Sequence, residues 1–397
     1  MFSFDKIEFL VGTKIPKRLS LEPFNSLACN FLDELSKSLL KSRDAKKFSD
    51  LITFAFYIRK KNLLKIENSL KDNFTRKGIG TVLHIAPSNV PINFAYSFLF
   101  SLVSGNSNIV RVPSRNFSQV KIICKYINKI FKKKKYNILK KSNLFIRYDK
   151  DIEINKKLSL ISDGRMIWGG DKTAYEFKNY QTKIKSSDIF FNDKYSISLI
   201  NSNELLKIKN SKHFERFIEN FYNDTLLMDQ NACSSPHLIL WNGKKCLKAQ
   251  DLFWKYFLKY TKKKYKLEDI AISEKLTQYT MDLMNNIYVN KIINYENYLF
   301  RAELKKLPTV VSDLKGKWGY FYEANFDRYS QLKKIFNNKF QTVSYYGFKK
   351  DDLLNFVKKN DIEGVDRIVP IGSALDIGMV WDGYNLQNNL TRIIDVR

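Results

Sequence analysis

The sequence has no long apolar run. Its longest apolar stretch with few interruptions, Phe94 to Val103, is about ten residues, whereas a helix needs ~20 to cross a bilayer. We therefore predict a buried helix there and no membrane span. The opening residues, Met1 to Lys6, show neither a basic region followed by an apolar core nor a small-residue cleavage site. No secretory signal is visible, and a cytoplasmic protein is expected.

Cysteine and histidine are scarce, with four and three copies. The cysteines form no Cys-x-x-Cys pair and have no zinc-finger spacing to a histidine, which argues against a disulfide framework and a zinc site. No bound metal is predicted. Neither G-x-G-x-x-G nor G-x-x-x-x-G-K-[ST] occurs, so the usual dinucleotide fingerprint and the P-loop are both absent.

Acidic residues are few beside basic ones, 40 against 68, and the net charge is +28. Such a surface attracts nucleic acid, anionic membranes or phosphate-rich cofactors. Many lysines adjoin Asn, Ile and Phe, as in AT-rich coding, so a solvated basic surface is the favoured interpretation. No helix-turn-helix, zinc-finger or RNP pattern supports nucleic-acid binding, which stays as the less favoured alternative.

What the chain does contain is an alternation of strand and helix patterns. At 397 residues it exceeds the size of one hydrophobic core, so two lobes are expected. In the first half the predicted strands are Gly80–Ile85, Asn108–Val112, Leu144–Tyr148 and Arg165–Trp168, and the predicted helices are Pro91–Val103, Asn116–Phe131 and one from Asp171. This order indicates a doubly wound parallel sheet.

The second half alternates in the same way. A long helix is predicted from about Glu204 to Met228, followed by strands and helices at Ser235–Trp241, Asp251–Tyr260, Gln341–Tyr346, Lys350–Lys358 and Arg367–Ile371. The predicted divisions are an N-terminal helical segment (1–74), a cofactor lobe (75–200, joined by 376–397) and a catalytic lobe (201–375).

The strongest candidate for chemistry is Cys233. It lies in a polar turn, Met228 to Pro236, between the long helix and an apolar strand, and a cysteine in such a turn can reach the thiolate state and attack a carbonyl. The other three cysteines lie in helical or apolar contexts and are predicted to be structural. His84 and His213 are also assigned structural roles, and a catalytic role for His237 is disfavoured because it lies within a strand.

Two further turns follow strands at the sheet edge where ligands bind. Asn89, after the first strand, is a candidate donor to a developing oxyanion, although an Asn that stabilises the turn is about equally expected. Gly169 and Gly170 join a strand to a helix, where backbone can approach a phosphate. By itself a Gly-Gly pair is a weak signal.

Together these segments resemble the LuxC-type acyl-CoA reductases, which belong to the aldehyde dehydrogenase superfamily. The resemblance covers about residues 75 to 397. The similar segments are His84–Pro91, Gly105–Ser114, Trp168–Gly170, Gln230–Pro236, Asp366–Gly372 and Trp381–Gly383. It implies two aldehyde dehydrogenase-like lobes, with the active site in the cleft between them.

The resemblance also implies a mechanism. Cys233 would attack an acyl thioester, Asn89 and the Cys233 backbone N–H would hold the oxyanion, and NADPH would reduce the acyl-enzyme to an aldehyde. Residues implied to line the cofactor are Arg111, Pro113, Ser114, Gly169 and Gly170. The Glu-Leu-Gly-Gly segment that supplies the hydrolytic base in oxidising relatives is missing, which favours thioester reduction.

One departure from the family pattern concerns Asp193, which stands where the family carries a catalytically implicated histidine. An Asp there could hold a proton only with a raised pKa, so altered pH behaviour, a different thioester or weak activity is implied. A degenerate member that binds acyl-CoA or a partner without turnover stays open. The expected partners are an acyl-CoA or acyl-protein thioester and an acyl-activating enzyme that supplies it. A homo-oligomer is left open.

Overall fold

The computed structural model describes residues 6–285 and 287–396. It divides into two compact units, one formed by residues 1–192 together with 384–397 and the other by residues 193–383. No helix within the described ranges is long and apolar enough to cross a membrane.

The first unit contains a six-stranded sheet. In chain order its elements up to residue 192 are β1 (Glu8–Val11), α1 (Ser26–Lys41), α2 (Ser49–Tyr57), α3 (Lys60–Ser69), β2 (Thr75–Gly78), β3 (Thr81–Ile85), α4 (Asn93–Val103), β4 (Ser107–Arg111), α5 (Ser118–Phe131), α6 (Asn137–Ser142), β5 (Asn143–Arg147), α7 (Ile152–Ile161), β6 (Gly164–Trp168), α8 (Asp171–Lys178) and β7 (Ser187–Phe191). The strand order is β1-β5-β4-β3-β6-β7, and every pairing is parallel except that of β1 with β5.

The register of this sheet brings the carboxyl ends of its central strands together. Ile85, the last residue of β3, is paired with Arg111 of β4 on one side and with Ile167 of β6 on the other. The loops that follow these three strands therefore leave from one edge. That is the edge at which doubly wound sheets bind ligands.

The second unit contains a seven-stranded sheet. Its elements are β8 (Tyr195–Asn201), α9 (Ser202–Lys207), α10 (Lys212–Asp224), β9 (Pro236–Asn242), α11 (Cys246–Lys264), α12 (Asp269–Asn285), β10 (Val289–Tyr295), β11 (Leu299–Leu304), β12 (Tyr320–Asn325), α13 (Tyr329–Lys333), β13 (Phe340–Tyr346), α14 (Lys350–Lys359), β14 (Arg367–Pro370) and β15 (Val380–Trp381). The strand order is β10-β11-β12-β9-β8-β13-β14, parallel except for the pair β10 and β11.

The chain then returns to the first unit through β16 (Tyr384–Asn385), α15 (Leu386–Leu390) and β17 (Thr391–Ile394). Strand β17 pairs antiparallel with β2, with Thr391 opposite Gly78.

Alternation along the strands gives the second sheet two apolar faces. In β9, Leu238 and Leu240 belong to one buried cluster, whereas Ile239 and Trp241 belong to another that includes the aromatic side chains of α10 and α11. Each fully buried aromatic or aliphatic side chain contributes about 1.5–3 kcal/mol to folding. The sheet is thus covered on both sides, which fixes the strand ends that carry the candidate site.

The predicted buried helix and the strand–helix alternation are confirmed. Ten of the eleven residues of α4 are buried, and the sheets are mixed but mainly parallel. The single long helix from Glu204 to Met228 is wrong, because α9 and α10 are separate. Asn210 between them is left-handed (φ 60°), and Ser211 accepts a hydrogen bond from the Phe214 N–H to begin α10. The spacing of apolar residues continues across Asn210 and Ser211. It therefore does not show that a left-handed Asn ends one helix and that a Ser N-cap begins the next.

Candidate active site

The turn that carries Cys233 is fixed by a buried glutamine. Asp229 and Gln230 are both left-handed, with φ values of 55° and 58°. The Gln230 side chain donates to the carbonyls of Pro236 and Tyr320, each at 3.1 Å, and accepts from the Gly319 N–H at 3.1 Å. All the hydrogen-bonding groups of this side chain but one lone pair are thereby engaged, so the start of β9 is held against β12.

Backbone and hydroxyl contacts hold Cys233 itself. Its carbonyl accepts a hydrogen bond from the Ser196 hydroxyl at 2.7 Å, which ties the turn to β8. Two residues later, the Ser235 N–H donates to the Ala232 carbonyl at 2.9 Å and the Ser235 hydroxyl donates to the Asp224 carbonyl at 2.7 Å. Cys233 is half-buried. The sulfur is therefore carried by a rigid turn at the amino edge of the sheet.

The thiol has one hydrogen-bonded neighbour among the described residues. Gln341, the second residue of β13, points its Nε2 at the Cys233 sulfur at 3.3 Å. The same nitrogen donates to Oδ1 of Asp382 at 2.5 Å. Asp382 is only 7% exposed, and within the described ranges its Oδ2 has no hydrogen-bond partner. A buried carboxylate oxygen left free in this way is unusual.

Burial dominates the electrostatics of this group. Burial and the negative charge of Asp382 raise the pKa of the Cys233 thiol to about 11, and the hydrogen bond from Gln341 opposes that rise. Burial likewise raises the pKa of Asp382 to about 6, opposed by Gln341 and by the charge of Lys194. Near neutral pH the free thiol is therefore protonated, and any reaction of the sulfur requires a proton to leave it.

Asp193 lies just before β8, at the same sheet edge as the Cys233 turn. It is exposed, and the ammonium of Lys315 donates to both of its carboxylate oxygens at 2.7 Å. Both carboxylate oxygens therefore accept hydrogen bonds from the same ammonium. This arrangement suits an acceptor of hydrogen bonds better than a donor of protons.

The histidines have structural surroundings. His237 is buried with Nδ1 2.8 Å from the Gly316 carbonyl, and its ring stacks on Tyr195 at a centroid distance of 5.5 Å. Burial lowers the pKa of His237 to about 4. His84 is buried in β3, with its ring nitrogens 2.7 Å from the Ser97 hydroxyl and 3.0 Å from Asn108 Oδ1. Neither ring is hydrogen-bonded to the Cys233 sulfur.

In the first unit, the oxyanion candidate Asn89 and the five cofactor candidates gather at the carboxyl edge of the sheet. Each of them lies at the last residue of a strand or in the loop that follows β3, β4 or β6. They are Asn89, Arg111, Pro113, Ser114, Gly169 and Gly170. Asn89, Ser114 and Gly170 are exposed. A Cβ built on Gly170 meets no described atom within 4 Å, so this turn is open to a ligand.

Arg111 is partly committed to the protein. Its guanidinium stacks over Tyr148 at 4.7 Å and donates to the Tyr148 carbonyl at 3.1 Å, yet its buried Nε has no partner within the described residues. Pro113 is buried, and its carbonyl accepts from Arg147 at 3.2 Å. Asp171 in the first turn of α8 places a negative charge at that helix N-terminus. The negative charge of Asp171 makes this helix N-terminus less favourable for an anion.

Sequence reasoning missed Gln341 and gave no role to Asp382. The segment Trp381–Gly383, which contains Asp382, stands out in the sequence only through its similarity to the family. Gln341 stands out only as the first residue of a predicted strand. The available signal was an amide side chain at the amino end of a predicted strand. In parallel sheets such ends meet at one edge.

Comparison with known proteins supports both the family and the fold. The model of the acyl-CoA reductase (LuxC) family matches residues 59–256, about half of the chain, and this span includes Asn89 and Cys233. A search of curated proteins finds no match.

Among solved structures, lactaldehyde dehydrogenase from Escherichia coli is similar with a TM-score of 0.62 and 9% identity, covering 92% of this chain and 86% of that one. Aldehyde dehydrogenase 21 from Physcomitrella patens, in complex with succinate, gives a TM-score of 0.63 and 10% identity, covering 93% and 85%. An indole-3-acetaldehyde dehydrogenase in complex with NAD⁺ gives 0.63 and 11%, covering 94% and 81%. At these identities the likeness shows the fold.

Proposed function

This chain belongs to the acyl-CoA reductase (LuxC) family, and from that premise we propose that it reduces an acyl thioester to an aldehyde with NADPH, through an acyl group held on Cys233. Family membership makes the chain an oxidoreductase that acts on acyl or aldehyde groups. The observation that carries the proposal is the half-buried Cys233 on a rigid turn, with an amide N–H directed at its sulfur.

Cys233 performs the acyl transfer. Its sulfur attacks the thioester carbonyl carbon and forms a new C–S bond, the C–S bond to coenzyme A breaks, and the proton lost by the thiol ends on the departing coenzyme A sulfur. Because the free thiol has a pKa of about 11, the sulfur must lose its proton as it attacks. Cys233 later serves as the leaving group when the reduced acyl group departs as aldehyde.

Asn89 is the proposed side-chain donor to the carbonyl oxygen as negative charge develops there. It lies on the exposed loop that follows β3. An exposed amide is free to bond a ligand rather than the protein, which supports this role over turn stabilisation. Asp193, held by Lys315, is proposed to orient donors as a carboxylate rather than to transfer protons.

The residues at the end of β4 fit a cofactor with an extra phosphate. Arg111 ends the strand with a buried Nε that no described residue bonds, and Arg115 is exposed four residues later. No Asp or Glu occurs between Asn73 and Tyr148, so the acid that would accept a ribose 2′-hydroxyl is missing. In dinucleotide folds an Arg at this place accommodates a 2′-phosphate. NADPH, when bound, supplies the hydride for the reduction.

The remaining cofactor candidates have supporting roles. Ser114 offers an exposed hydroxyl after β4, and Pro113 fixes the direction of that loop through its carbonyl bond to Arg147. The open Gly169–Gly170 turn lets backbone approach the cofactor from the β6 side. Each of these groups binds or orients, and none is required to move a proton.

The test is a spectrophotometric assay of NADPH oxidation with acyl-CoAs of graded chain length, with aldehyde trapped in parallel. We expect oxidation that tracks one length class and is at least several-fold slower with NADH. Activity with an acyl-carrier or acyl-protein donor alone would replace the free acyl-CoA substrate but keep the thioester chemistry. No oxidation with any thioester donor would refute the proposal.

A second candidate is a family member that binds acyl thioesters without turnover. Two observations favour it, namely the Lys315-paired Asp193 where the family carries a histidine and the high pKa of the Cys233 thiol. Binding of acyl-CoA by calorimetry, without NADPH oxidation and without an acyl group on Cys233, would select this alternative.

A further inference from the structure

One side-chain amide connects the candidate nucleophile to a buried carboxylate. Gln341 Nε2 lies 3.3 Å from the Cys233 sulfur and 2.5 Å from Asp382 Oδ1. A primary amide nitrogen carries two hydrogens, so one hydrogen can serve each neighbour. Gln341 is fully buried in β13, which leaves its amide little freedom to turn outward.

The carboxylate decides which end of the amide faces the sulfur. Ionised Asp382 can only accept hydrogen bonds, so Gln341 must present its nitrogen to it. The opposite end, Oε1, accepts from the Thr342 hydroxyl at 3.2 Å. With both ends engaged in this way, the second N–H points at the Cys233 sulfur. Without Asp382 the amide could rotate and place its oxygen there, which would favour the protonated thiol.

A donor at the sulfur matters because burial and the negative charge of Asp382, the two largest influences on the thiol, both oppose the thiolate. The charged groups that act electrostatically on the thiol or on Asp382 are Asp193, Lys194, Asp366 and Arg367. Arg367 stacks on Trp381 at 4.3 Å and donates to the Ala374 carbonyl at 2.8 Å, so its hydrogens are committed to other partners. Apart from the backbone N–H of Cys233 itself, Gln341 is the one group of the described chain that is hydrogen-bonded to the sulfur.

We propose that Gln341 is a catalytic residue that donates a hydrogen bond to the Cys233 thiolate, and that Asp382 is a positioning residue that holds the Gln341 amide in the donating orientation. The same bond stabilises the sulfur when it is about to attack and again when the product leaves it. The proposal deepens the acyl-transfer function given above and rests on it for its catalytic meaning. Its geometry is testable without any substrate.

The experiment measures the rate of Cys233 alkylation by iodoacetamide against pH in the full-length chain, with modification read by peptide mass spectrometry. Gln341→Met, which keeps the size but removes the donor, should raise the apparent thiol pKa and slow alkylation near pH 7 by about tenfold or more, the worth of a hydrogen bond to a charged group. Cys246, also half-buried, is the internal control, and its profile should not move.

Asp382 is tested by a double-mutant cycle. Asp382→Ala removes a negative charge, so in the Gln341→Met background it should lower the thiol pKa. In the parent chain, which keeps Gln341, the loss of Asp382 also frees the Gln341 amide to rotate, and this should offset part of the fall in the thiol pKa. The difference between the pKa changes in the two proteins measures the positioning effect. Equal effects in both backgrounds would show that Asp382 acts by its charge alone and would overturn its positioning role.

An unchanged Cys233 profile in a folded Gln341→Met variant would overturn the role of Gln341. If that variant fails to fold by circular dichroism, Gln341→Asn replaces it, because a shorter amide keeps the chemistry but cannot reach both partners. Its thiol pKa should rise in the same direction, and no rise would overturn the proposal. With acyl-CoA and NADPH, the loss of kcat/KM in Gln341→Met should shrink as the pH rises toward the thiol pKa. A failure of acyl-CoA turnover would leave the alkylation result intact.

Discussion

Two buried carboxylates of the second unit, Glu323 and Asp382, have very different surroundings. Glu323 is 2% exposed, and both of its oxygens are bonded, one by Arg301 Nε at 2.5 Å and the other by the indole N–H groups of Trp241 and Trp254 at 3.0 and 2.9 Å. Asp382 is 7% exposed, with one oxygen bonded by an amide and the other without a partner among the described residues.

The difference separates a structural group from a functional one. A buried carboxylate with both oxygens hydrogen-bonded holds its neighbours in one arrangement, as Glu323 does between β12, β9 and α11. A buried charge with free hydrogen-bonding capacity costs stability. Such a group is expected where a ligand or a reaction uses that capacity, and Asp382 adjoins the candidate nucleophile through Gln341. The predictions below follow from this contrast.

The largest effect is expected at the nucleophile. Cys233→Ala should lower acyl-CoA reduction by a factor on the order of 10⁴ or more, because no other group in the mechanism can hold the acyl intermediate. NADPH oxidation measures the loss, and circular dichroism checks the fold. Cys246→Ala is the matched control and should retain full activity. A Cys233→Ala protein that still reduces acyl-CoA at a comparable rate would remove the basis of the mechanism.

The next effect concerns stability rather than activity. Glu323→Ala removes the acceptor of the Arg301 Nε and of two buried indole N–H groups, while Glu303 still pairs with Arg301 at 2.9 Å. We therefore expect a loss of about 3 kcal/mol in the free energy of unfolding, at the low end for a broken buried ion pair. Urea denaturation measures it. Asp382→Ala should cost much less, since it removes one neutral–charged bond and an unsatisfied oxygen. Equal losses in the two variants would contradict the division into structural and functional carboxylates.

The exposed Asn89 extends the contrast to the first unit. Because its side chain is not buried, Asn89→Ala should leave stability nearly unchanged while slowing acyl transfer by a factor on the order of 10² to 10³, the typical loss for one oxyanion donor. Single-turnover kinetics with acyl-CoA provides the measurement. Ser88→Ala, at the neighbouring exposed position, is the control. A change below a few-fold would return Asn89 to the turn-stabilising role.

The smallest expected effect is the change in the free energy of unfolding with pH that His84 causes. Both ring nitrogens of this buried side chain lie within hydrogen-bonding distance of a partner. Burial lowers the pKa of His84 from 6.5 to about 4, so the folded state disfavours protonation that the unfolded state accepts. Its stability contribution is therefore complete above pH 6.5 and is lost as the pH falls toward 4, at up to about 1.4 kcal/mol per pH unit. Urea melts from pH 7 to 4 should show a shallower dependence of the free energy of unfolding on pH in His84→Gln than in the parent. Equal slopes in the two proteins would show that His84 is not a source of this pH dependence.

The sequence predicted the strands around the candidate site well, because buried parallel strands leave continuous apolar runs bounded by glycines and polar turns. The segments at Thr81–Ile85, Ser107–Arg111 and Pro236–Asn242 all lie within a residue or two of their predicted bounds. The sequence did not predict β1 (Glu8–Val11), which lies at one edge of the first sheet. Its apolar pattern is four residues long, too short to distinguish a strand from a loop. A four-residue strand gains its stability from pairing with β5, which is not local.

The environment of the nucleophile could not be predicted in the same way. Cys233 was found from its local turn, but Gln341 lies 108 residues further on and Asp382 another 41 beyond it. Their meeting depends on β13 pairing next to β8 and on the turn after β15. No local periodicity encodes such contacts, so only the family resemblance pointed toward Asp382, and it assigned no role there.

The central claim is that Cys233 carries the acyl group during reduction. The most direct measurement incubates the chain with acyl-CoA in the absence of NADPH, maps the acyl mass by peptide mass spectrometry, and then adds NADPH. The account predicts an acyl group on Cys233 that is absent from Cys233→Ala and that disappears on NADPH addition as aldehyde forms. Aldehyde production with no acyl group ever detected on Cys233, or with the acyl group on another residue, would contradict it.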